Sequence, residues 1–364
     1  MSQHARNRWD PSRRDFLRGI SSLLVAPAMG VGRGAAAPLR GDLGIAYTSM
    51  VIRMRQARQA NRKGPALAAE EYLELCRSFG AEGCQIDIAQ LASKESADLK
   101  KLRETLEKNA MFLELSMSAK LLEDPDAFAS VAATARALGV SCLRMAINGR
   151  RYEEFFSRRA WTEFADHWKK ALVKAAPMLD QHKIKVGIEN HKEWLADELV
   201  GMLRQANSPY LGACVDFGNN LALLDDPMEL VEALAPHAVT THLKDMAVSP
   251  YEKGFLLSEV PLGTGILPLA AMMERLRRAN PDIHFCLEMM TRDPLKVPYR
   301  DDSYWASHER RDEGRIARFE AQILSKATTD PLPKVSGLDA AAMLAAEDEN
   351  IRRCVAYYRK SLSS

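Results

Sequence analysis

Four acidic or imidazole side chains in the second half of the chain could together hold a divalent metal ion. Each lies near the end of a short run of mostly apolar residues, and the four are Glu189, Asp216, His242 and Glu288. Three carboxylates and one imidazole form an oxygen-rich ligand set, which suits Mn²⁺, Mg²⁺ or Co²⁺ better than a structural Zn²⁺ ion. We therefore predict one divalent ion, with Mn²⁺ as the preferred ion and Mg²⁺, Co²⁺ or Zn²⁺ as alternatives.

The elements that would position these side chains are eight short apolar runs that alternate with helical patterns. The predicted strands cover 43–50, 83–88, 111–117, 141–147, 184–190, 211–217, 238–244 and 284–290. Eight strand–helix units are what a closed parallel (β/α)8 barrel, or TIM barrel, requires, so the predicted class is α/β. The carboxyl ends of such strands meet at one mouth, where the last four strands would gather the four side chains. An open doubly wound sheet would instead need a glycine-rich phosphate turn after an early strand, and the sequence has none.

Three connections between a strand and the following helix are longer than the others and would border this mouth. They cover 148–159, 245–266 and 291–303 and contain several Arg and aromatic residues. Beyond the barrel, which we place at 38–326, residues 327–364 begin with a proline-containing break and continue as an amphipathic helix over 339–361. This helix would pack on the barrel wall or on a second subunit, so the sequence leaves a homo-oligomer open.

The first 37 residues have the three parts of a removable export signal. The pair Arg13 and Arg14 precedes an uncharged stretch of 13 residues at 19–31, which is too short to span a bilayer, and three alanines follow at 35–37. This order predicts a twin-arginine signal at 1–37, export to the periplasm and no stable membrane insertion once the signal is removed. That route carries folded proteins, which agrees with six cysteines that we predict to be buried free thiols, since no Cys-x-x-Cys pair occurs.

Removing the signal also changes the net charge of the chain. The segment 1–37 contains six Arg and two Asp, so the net charge of +2 for the whole chain becomes −2 for residues 38–364. A mildly acidic chain with no basic patch does not favour nucleic acid as a partner.

Four short motifs resemble the metal-binding segments of the xylose-isomerase-like barrels, the sugar phosphate isomerase/epimerase superfamily. They are Glu-Asn-His at 189–191, Asp-Phe-Gly-Asn at 216–219, His-Leu-Lys-Asp at 242–245 and Pro-Leu-Gly-Thr-Gly at 261–265. The resemblance covers residues 42–325 and implies that the four side chains named above bind the metal. It further implies that Glu189 and Glu288 face each other across the substrate as catalytic acid and base. The candidate substrate-binding residues are His191, Lys244, Asn219, Arg144 and Arg292.

The chemistry implied by this resemblance is the isomerisation or epimerisation of a small sugar. Such a reaction removes a proton next to a carbonyl, and a metal that chelates both oxygens of the resulting enediolate would stabilise its charge. A carboxylate on each face could take the proton and return it. Because sugar phosphates are cytoplasmic metabolites, an exported enzyme would act on an unphosphorylated sugar or keto-sugar.

Departures from the family pattern leave two other functions open. Ketose 3-epimerases carry His, Arg and Glu where this chain has Asn219, Val248 and Thr264. Xylose isomerases carry Lys in place of His191. A lyase or dehydratase acting on a 3-keto-glycoside would use the same metal and base but expel a β-substituent. A non-catalytic sugar-binding barrel is the other alternative, although both Glu residues expected to do acid–base chemistry are present.

Replacing Arg13 and Arg14 together with Lys should keep the protein in the cytoplasm, because the twin-arginine route reads the arginine pair. The fold should not change, since the substitutions lie within the removable segment. Fractionation of cells that produce the double variant, beside cells that produce the wild type, measures this. Normal arrival of the double variant in the periplasm would show that the segment is not a twin-arginine signal.

Overall fold

The computed structural model describes residues 42–60 and 67–363 of the chain. The predicted export signal at 1–37 lies outside these residues, so the signal and the periplasmic location stay predictions. The eight predicted barrel strands and the C-terminal helix lie within them.

Eight parallel strands close into a barrel, which confirms the predicted TIM-barrel fold. The strands of the described chain are β1 (Leu43–Ala46), β2 (Gly83–Asp87), β3 (Phe112–Ser118), β4 (Cys142–Ala146), β5 (Lys185–Glu189), β6 (Leu211–Asp216), β7 (Ala238–Leu243), β8 (Asp245–Tyr251), β9 (Gly254–Val260), β10 (Phe285–Leu287) and β11 (Leu295–Val297). The barrel order is β1-β10-β7-β6-β5-β4-β3-β2, and pairing of β1 with β2 completes the ring. Because both faces of these strands are covered, several are buried along their whole length and read as continuous apolar runs.

Helices of the outer layer bury one face against the barrel and expose the other. The helices of the described chain are α1 (Val51–Ala60), α2 (Ala69–Phe79), α3 (Ser96–Lys108), α4 (Pro125–Leu138), α5 (Arg151–Glu154), α6 (Arg158–His182), α7 (Ala196–Ala206), α8 (Pro227–Leu234), α9 (Leu269–Ala279), α10 (Asp302–Trp305), α11 (Glu313–Gln322) and α12 (Ala340–Ser361). In α2, for example, Tyr72, Leu73 and Cys76 are buried, and the helix ends at Gly80, whose φ of +87° suits glycine. None of the helices that the structure describes is long and apolar enough to cross a bilayer.

Two of the three long connections predicted as loops contain strands instead. Within 245–266, β8 and β9 form an antiparallel hairpin around a two-residue turn, and β11 from the next long connection pairs with β9. The side chains of Val248, Phe255 and Leu257 in this small sheet are fully buried. The prediction missed these strands because none of them is a long apolar run in the sequence. They are extended because they pair with one another.

All six cysteines are buried free thiols, which confirms the prediction from their spacing. Four of them lie in barrel strands and two in helices, and they are Cys84, Cys142, Cys214 and Cys286, with Cys76 and Cys354. Burial raises the pKa of the Cys214 thiol, so this group stays protonated and inert at neutral pH.

The C-terminal helix α12 packs on the barrel of its own chain, one of the two placements that the sequence left open. Ile351 and Tyr358 are buried on its inner face. Glu347, which is also buried, accepts hydrogen bonds from the backbone N–H groups of Ile52 (2.7 Å) and Arg53 (3.1 Å). These groups belong to the first turn of α1, where N–H groups have no partner within the helix. A side chain of the last helix therefore caps the first helix.

Replacing Glu347 with Ala should lower the free energy of unfolding by about 1–2 kcal/mol, because two N–H groups of α1 lose their acceptor. Denaturant unfolding at pH 8 measures this, since burial raises the pKa of Glu347 to about 7 and the carboxylate is ionised above that value. Glu349 is exposed on the same helix, so Glu349→Ala should change the free energy by less than about 0.5 kcal/mol. Equal losses in the two variants would mean that the cap contributes nothing specific.

Candidate metal centre

The four predicted ligands meet at the mouth of the barrel. His242 Nδ1 lies 3.4 Å from Glu189 Oε2, 3.4 Å from Glu288 Oε1 and 3.7 Å from Asp216 Oδ2. One potential ligand atom from each residue lies within 4.8 Å of the others, and all four residues are buried. The residues stand at or next to the carboxyl ends of β5, β6, β7 and β10, which are neighbours in the barrel. Parallel pairing of these strands therefore imposes the convergence.

Asp216 is held by backbone and side-chain hydrogen bonds with one oxygen turned toward the site. Its Oδ1 accepts hydrogen bonds from the N–H groups of Gly218 (2.9 Å) and Asn219 (2.7 Å), while Oδ2 faces Lys244 Nζ at 2.7 Å. Asn190 accepts from Asp216 N (2.8 Å) and donates to Asp216 O (2.9 Å). The Asn of the Glu-Asn-His motif thus ties β5 to β6 and places the Asp216 carboxylate.

A chain of buried hydrogen bonds sets the orientation of the His242 ring. His242 Nε2 lies 2.8 Å from Gln85 Oε1, and Gln85 Nε2 donates to Glu114 Oε2 at 3.0 Å. Because a carboxylate oxygen only accepts, the Gln85 amide turns its own oxygen toward His242, and His242 Nε2 is then the donor. Nδ1 is left to face the carboxylates and to bind a metal. Thr240 Oγ1 also donates to Glu114 Oε2 at 2.6 Å and holds the far end of the chain.

Glu189 has two polar neighbours that favour its ionised form. Arg144 Nη2 pairs with Glu189 Oε2, and Asn219 Nδ2 donates to Glu189 Oε1 at 2.9 Å. Burial raises the pKa of Glu189, but Arg144 and then His242 lower it by more, so the pKa lies below its usual range. The carboxylate is therefore available to a metal or a substrate at neutral pH.

Lys244 bridges the two other carboxylates. Its Nζ pairs with Glu288 Oε2 and lies 2.7 Å from Asp216 Oδ2. Burial raises the pKa of Glu288, but Lys244 and His242 lower it by more, so this pKa lies well below its usual range. At Asp216 the effect of burial is larger than that of Lys244, and the pKa rises to about 6. Burial lowers the pKa of His242, but Glu288 and Glu189 raise it to about 9. The neighbouring carboxylates thus increase the proton affinity of His242, which lies at their centre.

The residues present fit a divalent cation. His242 Nδ1 is buried and has no hydrogen-bond partner among the described residues, and Asp216 Oδ2, which Lys244 contacts, also faces the centre of the cluster. An imidazole nitrogen and three carboxylates are ligands that Mn²⁺, Mg²⁺ and related ions accept. Such an ion would replace the proton that His242 otherwise holds.

The candidate substrate-binding residues fall into two groups. Those that touch the ligand carboxylates are Arg144, Asn219 and Lys244. His191 Nδ1 instead lies 3.6 Å from Glu193 Oε2, and Arg292 forms a two-point ion pair with Glu259 at 3.0 and 2.5 Å. Within the described residues, no hydrogen bond or ion pair joins His191 or Arg292 to the four ligands. The roles of all five in substrate binding stay predictions.

The Pro-Leu-Gly-Thr-Gly motif at 261–265 supports the structure of the mouth. The N–H groups of Gly263 (3.0 Å) and Gly265 (2.9 Å) donate to Asp245 Oδ2. A Cβ atom at Gly265 would overlap the Asp245 carboxylate, so this close approach requires glycine. Thr264 Oγ1 donates to a carbonyl of its own loop at 2.6 Å. The motifs at 242–245 and 261–265 are therefore joined by hydrogen bonds, and these fix the position of the chain that follows β7.

Sequence reasoning missed several polar residues that support the ligands from inside the barrel. Gln85 and Glu114 interrupt the apolar strands β2 and β3, and Ser116 accepts a hydrogen bond from Arg144 Nη1 at 3.0 Å. Lys192, next to the Glu-Asn-His motif, is buried as well. The sequence feature that could have identified these residues is a polar side chain within an apolar strand or beside a candidate ligand. Such a side chain is expected to be buried, and a buried polar group needs a hydrogen-bond partner.

A family model described as Xylose isomerase-like TIM barrel matches residues 73–309 of this chain. The chain is also 28% identical over 234 residues to the 3-oxo-isoapionate decarboxylase of Pectobacterium atrosepticum. That match covers 64% of this chain and 81% of the decarboxylase. The family match agrees with the resemblance inferred from the four motifs.

Two solved structures of D-psicose 3-epimerase share the architecture. One, determined in the presence of D-fructose, has a TM-score of 0.56 and 14% identity, and the likeness covers 89% of this chain and 100% of the other. The other, from Clostridium cellulolyticum H10 with D-tagatose, has a TM-score of 0.54 and 14% identity and covers 88% and 99%. At these identities the likeness shows the fold alone.

Replacing Gln85 with Leu should weaken Mn²⁺ binding by about 10- to 100-fold, because His242 loses the acceptor that holds its ring. Isothermal titration of metal-free protein with Mn²⁺ measures the affinity. Gln90 provides the control: its buried amide accepts from Asp87 N (3.0 Å) and donates to Leu67 O (3.3 Å), away from His242. Equal weakening by Gln85→Leu and Gln90→Leu would mean that packing, not ring orientation, decides the affinity.

Proposed function

Because this chain belongs to the xylose isomerase-like TIM barrel family, we propose that it is a metal-dependent isomerase or epimerase of an unphosphorylated sugar or keto-sugar. In the proposed reaction, one carboxylate removes a proton from the carbon next to a carbonyl. The electron pair moves onto the carbonyl oxygen. Return of a proton to the opposite face of the same carbon gives the epimer. Return of a proton to the former carbonyl carbon, with transfer of the neighbouring hydroxyl proton to the former carbonyl oxygen, gives the isomer.

The observation that carries this proposal is the convergence of Glu189 and Glu288 on one point. Each has an oxygen 3.4 Å from His242 Nδ1, although two strands, β6 and β7, separate β5 from β10 in the barrel. They therefore approach the common centre from different sides. A substrate held between them could lose a proton to one carboxylate and regain a proton from the other.

A bound divalent ion would stabilise negative charge on the substrate oxygens as the proton leaves. The side chains around it would divide the remaining work. Arg144 keeps Glu189 ionised and in place, and Lys244 does the same for Glu288. Both cations are buried, so their charges act through a medium that screens little, and both could donate hydrogen bonds to substrate oxygens.

Three positions argue for a substrate different from that of the ketose 3-epimerases. Asn219 donates to Glu189, Val248 is buried in β8, and Thr264 donates within its own loop. None of the three offers the charge that His, Arg or Glu could place there. We therefore expect the pocket to contact its sugar through residues other than those that the ketose 3-epimerases use at these three positions.

A second candidate function is a lyase reaction, and the 28% identical decarboxylase supports it. In the loss of CO2 from a 3-oxo acid, the bond to the carboxylate carbon breaks and its electron pair moves onto the ketone oxygen. A proton then adds to the carbon that lost CO2. The same centre would stabilise this enolate. The β-elimination considered from the sequence is a variant, in which the electron pair expels a leaving group instead.

Incubation of the Mn²⁺-loaded protein in D2O with free ketoses, 3-keto-glycosides and 3-oxo sugar acids tests these proposals. Deuterium incorporation with recovery of an isomer or epimer is the result expected from the main proposal. Release of CO2 or of a leaving group would favour the lyase reaction instead. Binding without deuterium incorporation, CO2 release or elimination would contradict both and identify a sugar-binding barrel.

Replacing Glu288 with Gln should slow proton exchange by about 10²- to 10⁴-fold, because an amide cannot take the proton usefully. Metal binding should weaken only moderately, since one ligand oxygen and three other ligands remain. The exchange rate is measured while Mn²⁺ is raised to saturation. Full recovery of the rate at high Mn²⁺ would show that Glu288 is a ligand only. The control is Glu347→Gln, a buried carboxylate on α12 whose replacement should leave the exchange rate unchanged.

A further inference from the structure

Lys192 lies three residues after the metal ligand Glu189, in a turn that places a lysine in the interior. Its side chain and backbone together are only 3% exposed. Its φ of +62° lies in the left-handed region, which non-glycine residues adopt at some energetic cost. Arg151 N donates to Lys192 O at 3.1 Å and holds this conformation. The turn therefore holds a cation in the interior of the protein.

The ammonium of Lys192 has no counter-ion within the part of the chain that the structure describes. No ion pair or side-chain hydrogen bond of Lys192 is seen there, although Arg292, Glu259 and Lys244 are near enough to act on its charge. The acidic member of this group, Glu259, is already bound at two points by Arg292. Burial and then Arg292 lower the pKa of Lys192 to about 8, which leaves the ammonium form dominant at neutral pH.

The charges of the whole centre leave a positive excess at this point. A divalent ion together with Arg144 and Lys244 would outweigh the three candidate ligand carboxylates by one positive charge, and the buried Glu114 carboxylate, joined to His242 through Gln85, offsets that charge. Arg292 and Glu259 cancel each other. Lys192 adds one more positive charge. A buried, unpaired cation is unfavourable unless a ligand supplies the missing anion.

We propose that Lys192, with Lys244 and Arg292 beside it, binds the carboxylate of the substrate, so that the enzyme acts on a sugar acid rather than a neutral sugar. This inference rests on the proposed function in one respect, namely that the pocket binds a sugar derivative. A carboxylate is favoured over a phosphate because Glu259, buried beside the same cations, would repel a doubly charged group more strongly than a singly charged one.

D-gluconate and D-glucitol test this assignment, because they differ only in a carboxylate in place of a hydroxymethyl group. Isothermal titration of the Mn²⁺-loaded wild type should show D-gluconate binding about 10- to 100-fold more tightly. Lys192→Met should remove most of this preference by weakening D-gluconate and should leave D-glucitol unchanged. Lys192→Asn should behave in the same way, and it suits the left-handed backbone better should the Met variant fold poorly.

Lys185 provides the matched control, because it is an exposed lysine at the opposite end of the same strand, β5. Lys185→Met changes the net charge equally and should leave both affinities unchanged. All proteins are brought to the same Mn²⁺ content, checked by elemental analysis, because a carboxylate also binds the metal. D-glucitol 6-phosphate is titrated in parallel as the phosphate probe.

Equal binding of D-gluconate and D-glucitol by the wild type would overturn the proposal, as would equal weakening of both by Lys192→Met. Tighter, Lys192-dependent binding of D-glucitol 6-phosphate would overturn the choice of a carboxylate. Lys192-dependent binding of D-gluconate in a protein that shows no proton exchange or CO2 release would support this site while it refutes the proposed function. The experiment can therefore contradict the carboxylate-binding site and the proposed function independently of each other.

Discussion

Three carboxylates buried within 4.8 Å of a common imidazole are the constraint to which the rest of the barrel mouth responds. Like charges at this distance in a weakly screening interior repel strongly and would take up protons if left alone. Arg144 and Lys244 prevent this at Glu189 and Glu288, and His242 becomes a stronger base for the same reason. The Glu189 and Glu288 carboxylates are thus held in the ionised state that a metal ligand must have, whereas His242 would give up its proton to a bound ion.

The need to hold one imidazole in one orientation explains why polar residues enter the barrel interior. Apolar branched side chains usually fill the interior of such a barrel. Here Gln85 and Glu114 form register partners on β2 and β3 and connect His242 to Thr240 through buried hydrogen bonds. Each member of the chain has a partner, so the network adds rigidity instead of leaving a buried polar group unsatisfied.

The chemistry at the mouth also depends on structure outside the barrel. The small sheet of β8, β9 and β11 supplies Glu259, and this carboxylate takes up Arg292 from the connection after β10. Among the residues that the structure describes, Lys192 is then left without a counter-ion, although Arg292, Glu259 and Lys244 act on its charge. The candidate metal ligands thus come from the barrel strands, whereas the charged groups that we propose to select the substrate come from the connections.

The sequence by itself indicated the eight strands, the four side chains that converge at the barrel mouth and the buried state of the cysteines. Strand positions follow from local apolar runs, and the ligands follow from the rule that the carboxyl ends of parallel strands share one edge. Tertiary structure alone decided that Gln85 supports His242, 157 residues away, and that Arg292 pairs with Glu259. It alone extended β8, β9 and β11 and buried Lys192 with no counter-ion in the described part of the chain. These features depend on which distant segments come together. Local sequence periodicity does not predict the partner that a polar residue contacts in the folded chain.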